Sequence, residues 1–139
     1  MINKFWFYFL SFTWGILVTL AGCITSLVLL IAGYQPKKNS YGWVFIIGKT
    51  WGGVSIGPCR LLGSECESDY MKKHEFGHSI QNCFYGPFMI FLVVIPSTIR
   101  YWYYKYHYAK GTISKLRPYD DIWFEHQANV LGEKNYEVC

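Results

Sequence analysis

No charged residue stands between Lys4 and Lys37, and the stretch from Phe5 to Ala32 is almost wholly apolar. About 20 such residues are enough for a helix to cross the hydrocarbon core of a bilayer. A chain carrying this run must bury it in lipid or in a large protein core. The chain has 139 residues, the size of one ordinary domain, and the run is too long to read as a buried core helix. The sequence therefore predicts one N-terminal transmembrane helix within residues 1–35, followed by a second unit over residues 36–139. Composition agrees. Charged residues make up 16% and aromatic residues 20%, against roughly 25% charged in a soluble domain. Tyr, Phe and Trp gather at the edges of the apolar stretches, as at a lipid–water boundary. The lipid bilayer is the first expected partner.

Two processing alternatives compete with an uncleaved anchor. The apolar run is much longer than the core of a signal peptide. Leu20-Ala21-Gly22-Cys23 resembles a bacterial lipobox, but the chain stays apolar from Ile24 to Ala32. The uncleaved anchor is the preferred reading. Ser11, Gly15, Gly22 and Ser26 offer a small-residue face for helix packing.

Net charge is +4, spread along the chain beside apolar segments. Nucleic-acid binding calls for a denser basic face, so that class is set aside and the basic residues are read as facing lipid headgroups. Lys4 stands alone before the apolar run, whereas Lys37, Lys38 and Lys49 follow it. The positive-inside rule then puts the C-terminal part in the cytoplasm. Cysteines number five, with no CxxC spacing, which argues against a zinc ribbon or a disulfide framework. Free thiols are expected, with a Cys59–Cys66 bridge as the alternative.

Past the turn-forming residues Tyr34 to Ser40, two β-rich runs, Trp43–Ile47 and Trp51–Ile56, flank Gly48-Lys49-Thr50 and predict a short β-hairpin over Trp43–Ile56, ended by Gly57-Pro58. Ser68 or Asp69 then caps a helix that Gly86-Pro87 stops near Phe84.

That helix carries His74-Glu75-Phe76-Gly77-His78, an HExxH motif. Histidines at i and i+4 share one helical face and can bind a single metal ion. Zn²⁺ suits neutral imidazole, and a glutamate in the second position of such a motif serves as general base. Gly77 is read as leaving room beside the ligands. The bland alternative is a solvated amphipathic helix with two surface histidines. A catalytic zinc needs three protein ligands and one open position. The helical stretch Trp123–Gly132 offers Glu125 as the third, with Asn129 one turn later to bond a ligand histidine. His126 points away from Glu125 by about 100° on a helix. His107 sits among aromatics and reads as interfacial, and Asp120 and Asp121 read as cap and first-turn acids of the second helix.

HEFGH followed by Glu125-His126-Gln127-Ala128-Asn129-Val130-Leu131-Gly132 resembles the gluzincin membrane metallopeptidases of the M48 type, the CAAX prenyl protease and HtpX group. The resemblance covers these two helices in the second half of the chain. It implies His74, His78 and Glu125 as zinc ligands and Glu75 as general base. Those enzymes carry Asp where this chain has Asn129, and this chain is much shorter.

The metal reading constrains topology. Phe88 to Ile99 is apolar but short of a span and contains Pro96. A single crossing there would separate Glu125 from the histidines. The sequence therefore predicts a re-entrant or buried apolar helix with its base near the metal. The fold class expected is a mostly α membrane protein with a short β-hairpin and a helical zinc-peptidase core. The function expected is a membrane-anchored zinc endopeptidase acting on a peptide or protein substrate, with Tyr119, His107, His126 and Arg100 as candidate oxyanion stabilisers. The alternatives are a membrane protein that holds a metal or a protein partner without turnover, and a metal-free factor related to toxin immunity.

Overall fold

The computed structural model describes residues 1–136. These residues form five α-helices around a small mixed sheet: α1 (Lys4–Phe12), α2 (Ile16–Ile31), β1 (Lys37–Lys38), β2 (Trp43–Ile46), β3 (Gly53–Ile56), β4 (Cys59–Leu62), α3 (Asp69–Tyr85), α4 (Ile95–Ala109) and α5 (Trp123–Asn135). The mostly helical class with a small sheet matches expectation, whereas several details do not.

The apolar N-terminal run is two helices instead of one, bent by 94° between Phe12 and Ile16. The physical cause is polar. Gly15 packs so closely on α3 that a Cβ there would lie 2.5 Å from Asn82 Nδ2. The Asn82 carboxamide donates to the Gly15 carbonyl at 3.3 Å and to Thr19 Oγ1 at 3.2 Å. Backbone freed from a straight helix needs such a partner, and α3 supplies it. The small-residue face does form, since Ser11, Gly15, Gly22 and Ser26 are all buried. Its partners are α3 and the sheet. A Cβ on Gly22 would meet the Ile56 carbonyl at 2.1 Å, and Trp43 Nε1 donates to Ser26 Oγ at 2.7 Å.

The predicted hairpin is also corrected. Strand order is β1-β2-β4-β3, with β2 parallel to β4 and β3 antiparallel to β4. Gly57-Pro58 is the turn of the hairpin, not its end. Gly57 takes φ +63°, and the pair Ile56–Cys59 closes the turn. β3 is thus an edge strand. Arg60, in the middle of β4, is fully buried. Its guanidinium donates to the carbonyls of Asn39 and Tyr41 and lies 5.0 Å from the Phe76 ring centre. Burial lowers its pKa to about 10.

α3 begins as predicted, with Ser68 Oγ accepting from the Met71 amide at 3.2 Å, and ends at Gly86. It is the central helix: His74 to Cys83 are buried without interruption. Phe76, Ile80 and Cys83 pack with Phe7 and Tyr41 on one side, while Val18, Met89, Val93 and Phe124 form a second cluster. After α3 the chain turns by 119° into Ile90–Ala109. Pro96 does not break this segment. It is the second residue of α4 and follows directly on a π-helical turn over Ile90–Val94, so the helical path runs on through it from Ile90 to Ala109. No single helix among the described residues is long and apolar enough to cross a membrane. Two bent pairs, α1 with α2 and Asp69–Phe88 with Ile90–Ala109, are so when taken together. Cys23, Cys59, Cys66 and Cys83 are free thiols, so Cys59 and Cys66 form no bridge. Cys139 lies outside the described residues.

Candidate metal centre

The site exists because α3 and α5 touch backbone to backbone. A Cβ on Gly77 would lie 1.9 Å from the Ala128 carbonyl oxygen, and one on Gly132 would lie 1.9 Å from that of Lys73. Gly77 therefore makes room for α5, and not for the ligands as its place in the motif suggests. This crossing carries Glu125 and Asn129 to the two histidines. His74, His78 and Glu125 are buried and form a group able to hold a metal ion. That overturns the picture of a solvated helix with surface histidines.

The three inward-facing atoms make a nearly equilateral triangle. His74 Nε2 and His78 Nε2 are 3.2 Å apart, and each is 3.1 Å from Glu125 Oε2. Ligands about 2.0–2.1 Å from a tetrahedral ion stand about 3.3–3.4 Å from one another. The triangle thus fits an ion with its fourth position open.

Hydrogen bonding fixes which nitrogens face the centre. Asn129 Nδ2 donates to Asp120 Oδ2 at 3.1 Å, so Asn129 Oδ1 is the atom 2.7 Å from His74 Nδ1 and can only accept. Gln81 Nε2 donates to the Phe124 carbonyl at 2.7 Å and to Gln127 Oε1 at 2.8 Å, so Gln81 Oε1 is the atom 2.7 Å from His78 Nδ1. Both Nδ1 atoms must carry hydrogen. Both Nε2 lone pairs then converge on a carboxylate oxygen. Three lone-pair donors this close need a cation between them. Glu125 Oε1 accepts from Ser97 Oγ at 2.6 Å, which leaves Oε2 for the centre.

Without a metal, the cation is a proton. Burial works against charge on His74, but the Glu125 hydrogen bond, the nearby Glu75 and Asn129 outweigh it and push its pKa up to about 9. Burial also opposes charge on Glu125, yet the two histidines hold it well below the usual carboxylate range. Burial is the largest influence on Glu75 and raises its pKa. Among the described residues, nothing hydrogen-bonds Glu75 Oε2, although the atom is buried. An unpartnered acceptor beside the ligand triangle is where a general base would sit.

The triangle opens into a cavity of about 380 Å³, which Trp51, Val54, Met89, Val93 and Tyr101 help to line. The edge strand β3 forms one wall. Of the four candidate oxyanion stabilisers, Tyr119 lines this cavity. Its phenol is pushed up to about 12, first by burial and then by Glu125, and stays a proton donor. Arg100 stacks on Tyr119 and donates to its carbonyl at 2.7 Å. His107 is bonded to Thr112 at 2.8 Å, and His126 is exposed. Asp120 and Asp121 do not cap α5. They lie in a 3₁₀ turn, Tyr119–Asp121, ahead of the Ile122 N-cap.

Sequence reasoning missed Gln81, Ser97, Tyr70 and Gly53. Gln81 lies one turn beyond His78, a spacing that signals it. Ser97 carries no signal beyond being polar in an apolar stretch. Compared with protein-family models, with curated proteins and with solved structures, the chain matches none.

Proposed function

We propose that this protein is a membrane-associated zinc-dependent endopeptidase. The observation that carries this is the triangle of His74 Nε2, His78 Nε2 and Glu125 Oε2 with Glu75, whose Oε2 has no hydrogen-bond partner, beside it in the lining of a cavity walled by an edge strand. Of the candidate metals, Zn²⁺ suits two neutral imidazoles and one carboxylate with an open position. When bound, the ion supplies Lewis acidity, polarising a carbonyl and lowering the pKa of water to about 7.

The chain's own residues do the rest. Glu75 accepts a proton from the attacking water and returns it to the departing amine, a role that its raised pKa favours. Of the four candidate stabilisers Tyr119 is the one in the cavity lining, and its hydroxyl serves charge developing on the carbonyl oxygen. β3 takes an extended peptide or protein substrate by strand addition along its free edge, and the apolar cavity wall receives a side chain.

Membrane association is supported by the outer faces of the bent pairs. Leu17, Leu20, Ile24 and Leu27 on α2 are exposed, as are Phe91 and Ile99, an apolar surface larger than water tolerates. In this reading α1, α2 and the exposed outer face of the segment from Gly86 to Ile99 meet lipid, while its inner face, with Met89, Val93 and Ser97, lines the site, which opens on the cytoplasmic side. A second reading, metal binding without turnover, draws on Asn129 standing where the resembled enzymes carry Asp.

The test uses the full chain purified in detergent. Elemental analysis should find one zinc per chain, and a quenched peptide library should be cleaved. Glu75→Gln should keep the zinc and lose at least about 10²-fold in turnover. Zinc absent from the wild type, or equal cleavage by the variant, sinks the proposal.

A further inference from the structure

Asn129 bonds the ligand His74, yet a carboxamide does not by itself settle that contact. Turned over, Asn129 would present its NH₂ group to Nδ1. The imidazole would then carry its hydrogen on Nε2, pointing into the triangle where the ion must sit. One orientation builds the metal site and the other blocks it. What selects the orientation lies on the far side of the amide. Asp120 Oδ2 accepts from Asn129 Nδ2 at 3.1 Å and, being a carboxylate, can only accept. The same oxygen accepts from the Tyr70 hydroxyl at 3.3 Å, and the Tyr70 ring lies parallel to the His74 ring, 22° between planes and 6.2 Å between centres. Arg100 anchors the turn bearing Asp120, donating to the carbonyls of Tyr119 at 2.7 Å and Pro118 at 2.9 Å.

The geometry points to Asp120 as a positioning residue of the metal centre. Its carboxylate acts through the Asn129 carboxamide, fixing the tautomer of His74 and placing a negative charge behind that ligand at one remove. The inference rests on the metal reading and deepens it. It also answers the substitution at 129: the charge missing from that position is supplied from the neighbouring turn.

Loss of an outer partner of a metal-bound histidine typically costs 10- to 100-fold in affinity. Zinc affinity of the full chain in detergent, read by competition with a chromophoric chelator, should fall by about that factor in Asp120→Ala. Adding Asn129→Asp to Asp120→Ala puts a carboxylate directly on His74 Nδ1 and should restore affinity to within a few-fold of wild type. Cobalt(II) in place of zinc should show the tetrahedral visible spectrum in the wild type and double variant, and a weakened one in the single variant. Wild-type affinity in Asp120→Ala overturns the inference. So does a weakened single variant that the second substitution fails to restore while far-ultraviolet circular dichroism is unchanged, because the residue would then act through packing alone. A wild-type chain that binds no zinc is a separate outcome and removes the metal centre itself.

Discussion

Gly77 and Ala128 meet so closely that a single methyl group on the first would lie 1.9 Å from the carbonyl oxygen of the second. Backbone cannot rotate aside as a flexible side chain can. Gly77→Ala should therefore push α5 away from α3, costing about 3 kcal/mol or more and lowering the thermal midpoint by on the order of 10 °C. Because Glu125 rides on α5, the same variant should lose zinc. Differential scanning fluorimetry with elemental analysis checks both. A variant of unchanged midpoint and full zinc content would show that the two helices do not touch there.

Gly53 separates metal binding from chemistry. A Cβ at this position of β3 would lie 2.7 Å from Glu75 Oε1 and 2.6 Å from Leu62 Cδ2. Gly53→Ala presses on Glu75, the proposed general base, while touching none of the proposed ligands. Misplacing a reacting group by about 1 Å can cost 10²-fold. Turnover should fall by about that factor with zinc content unchanged. Loss of zinc along with activity would mean that the strand supports the ligands instead.

The paired shifts of His74 and Glu125 give a pH dependence of defined sign. The His74 pKa is raised from 6.5 to about 9 in the metal-free protein. Its stabilising contribution is fully present below pH 6.5 and is lost as pH rises through about 9. The Glu125 pKa is lowered from 4.5, so its contribution is present above that value and is lost as pH falls into the acid range. Metal-free protein should accordingly be most stable between these limits. Zinc competes with the His74 proton. Binding near pH 7.5 should release about one proton, and affinity should climb with pH until about 9. Titration calorimetry in buffers of different ionisation enthalpy measures the count. A value of zero would mean that His74 is already neutral.

The candidate ligand set is legible in the sequence because it is local. Helical spacing puts His74 and His78 on one face and Glu125 and Asn129 on another, whatever the rest of the chain does. What decides the rest is tertiary. Nothing in the run Phe5–Ala32 tells that Asn82 will take the Gly15 carbonyl, so its bend was invisible. Gly48 and Gly57 are equally good turn signals, and Arg60 disguises β4 as surface, since its burial depends on the carbonyls of Asn39 and Tyr41 and the Phe76 ring. Sequence reading consequently places the hairpin one strand too early. Asp120 reads as an ordinary helix-start acid until the 3₁₀ turn folds it back onto Asn129 of α5.

His78 and Glu125 stand 47 residues apart in the chain. A polypeptide leaving the ribosome delivers α3 first, with both histidines in place and no third ligand to close the triangle. Folding of α5 onto the two glycine contacts is then the moment at which the chain becomes able to keep an ion. Until that point a nascent molecule lacks the complete His74, His78 and Glu125 group, and any truncation ahead of Glu125 leaves it so.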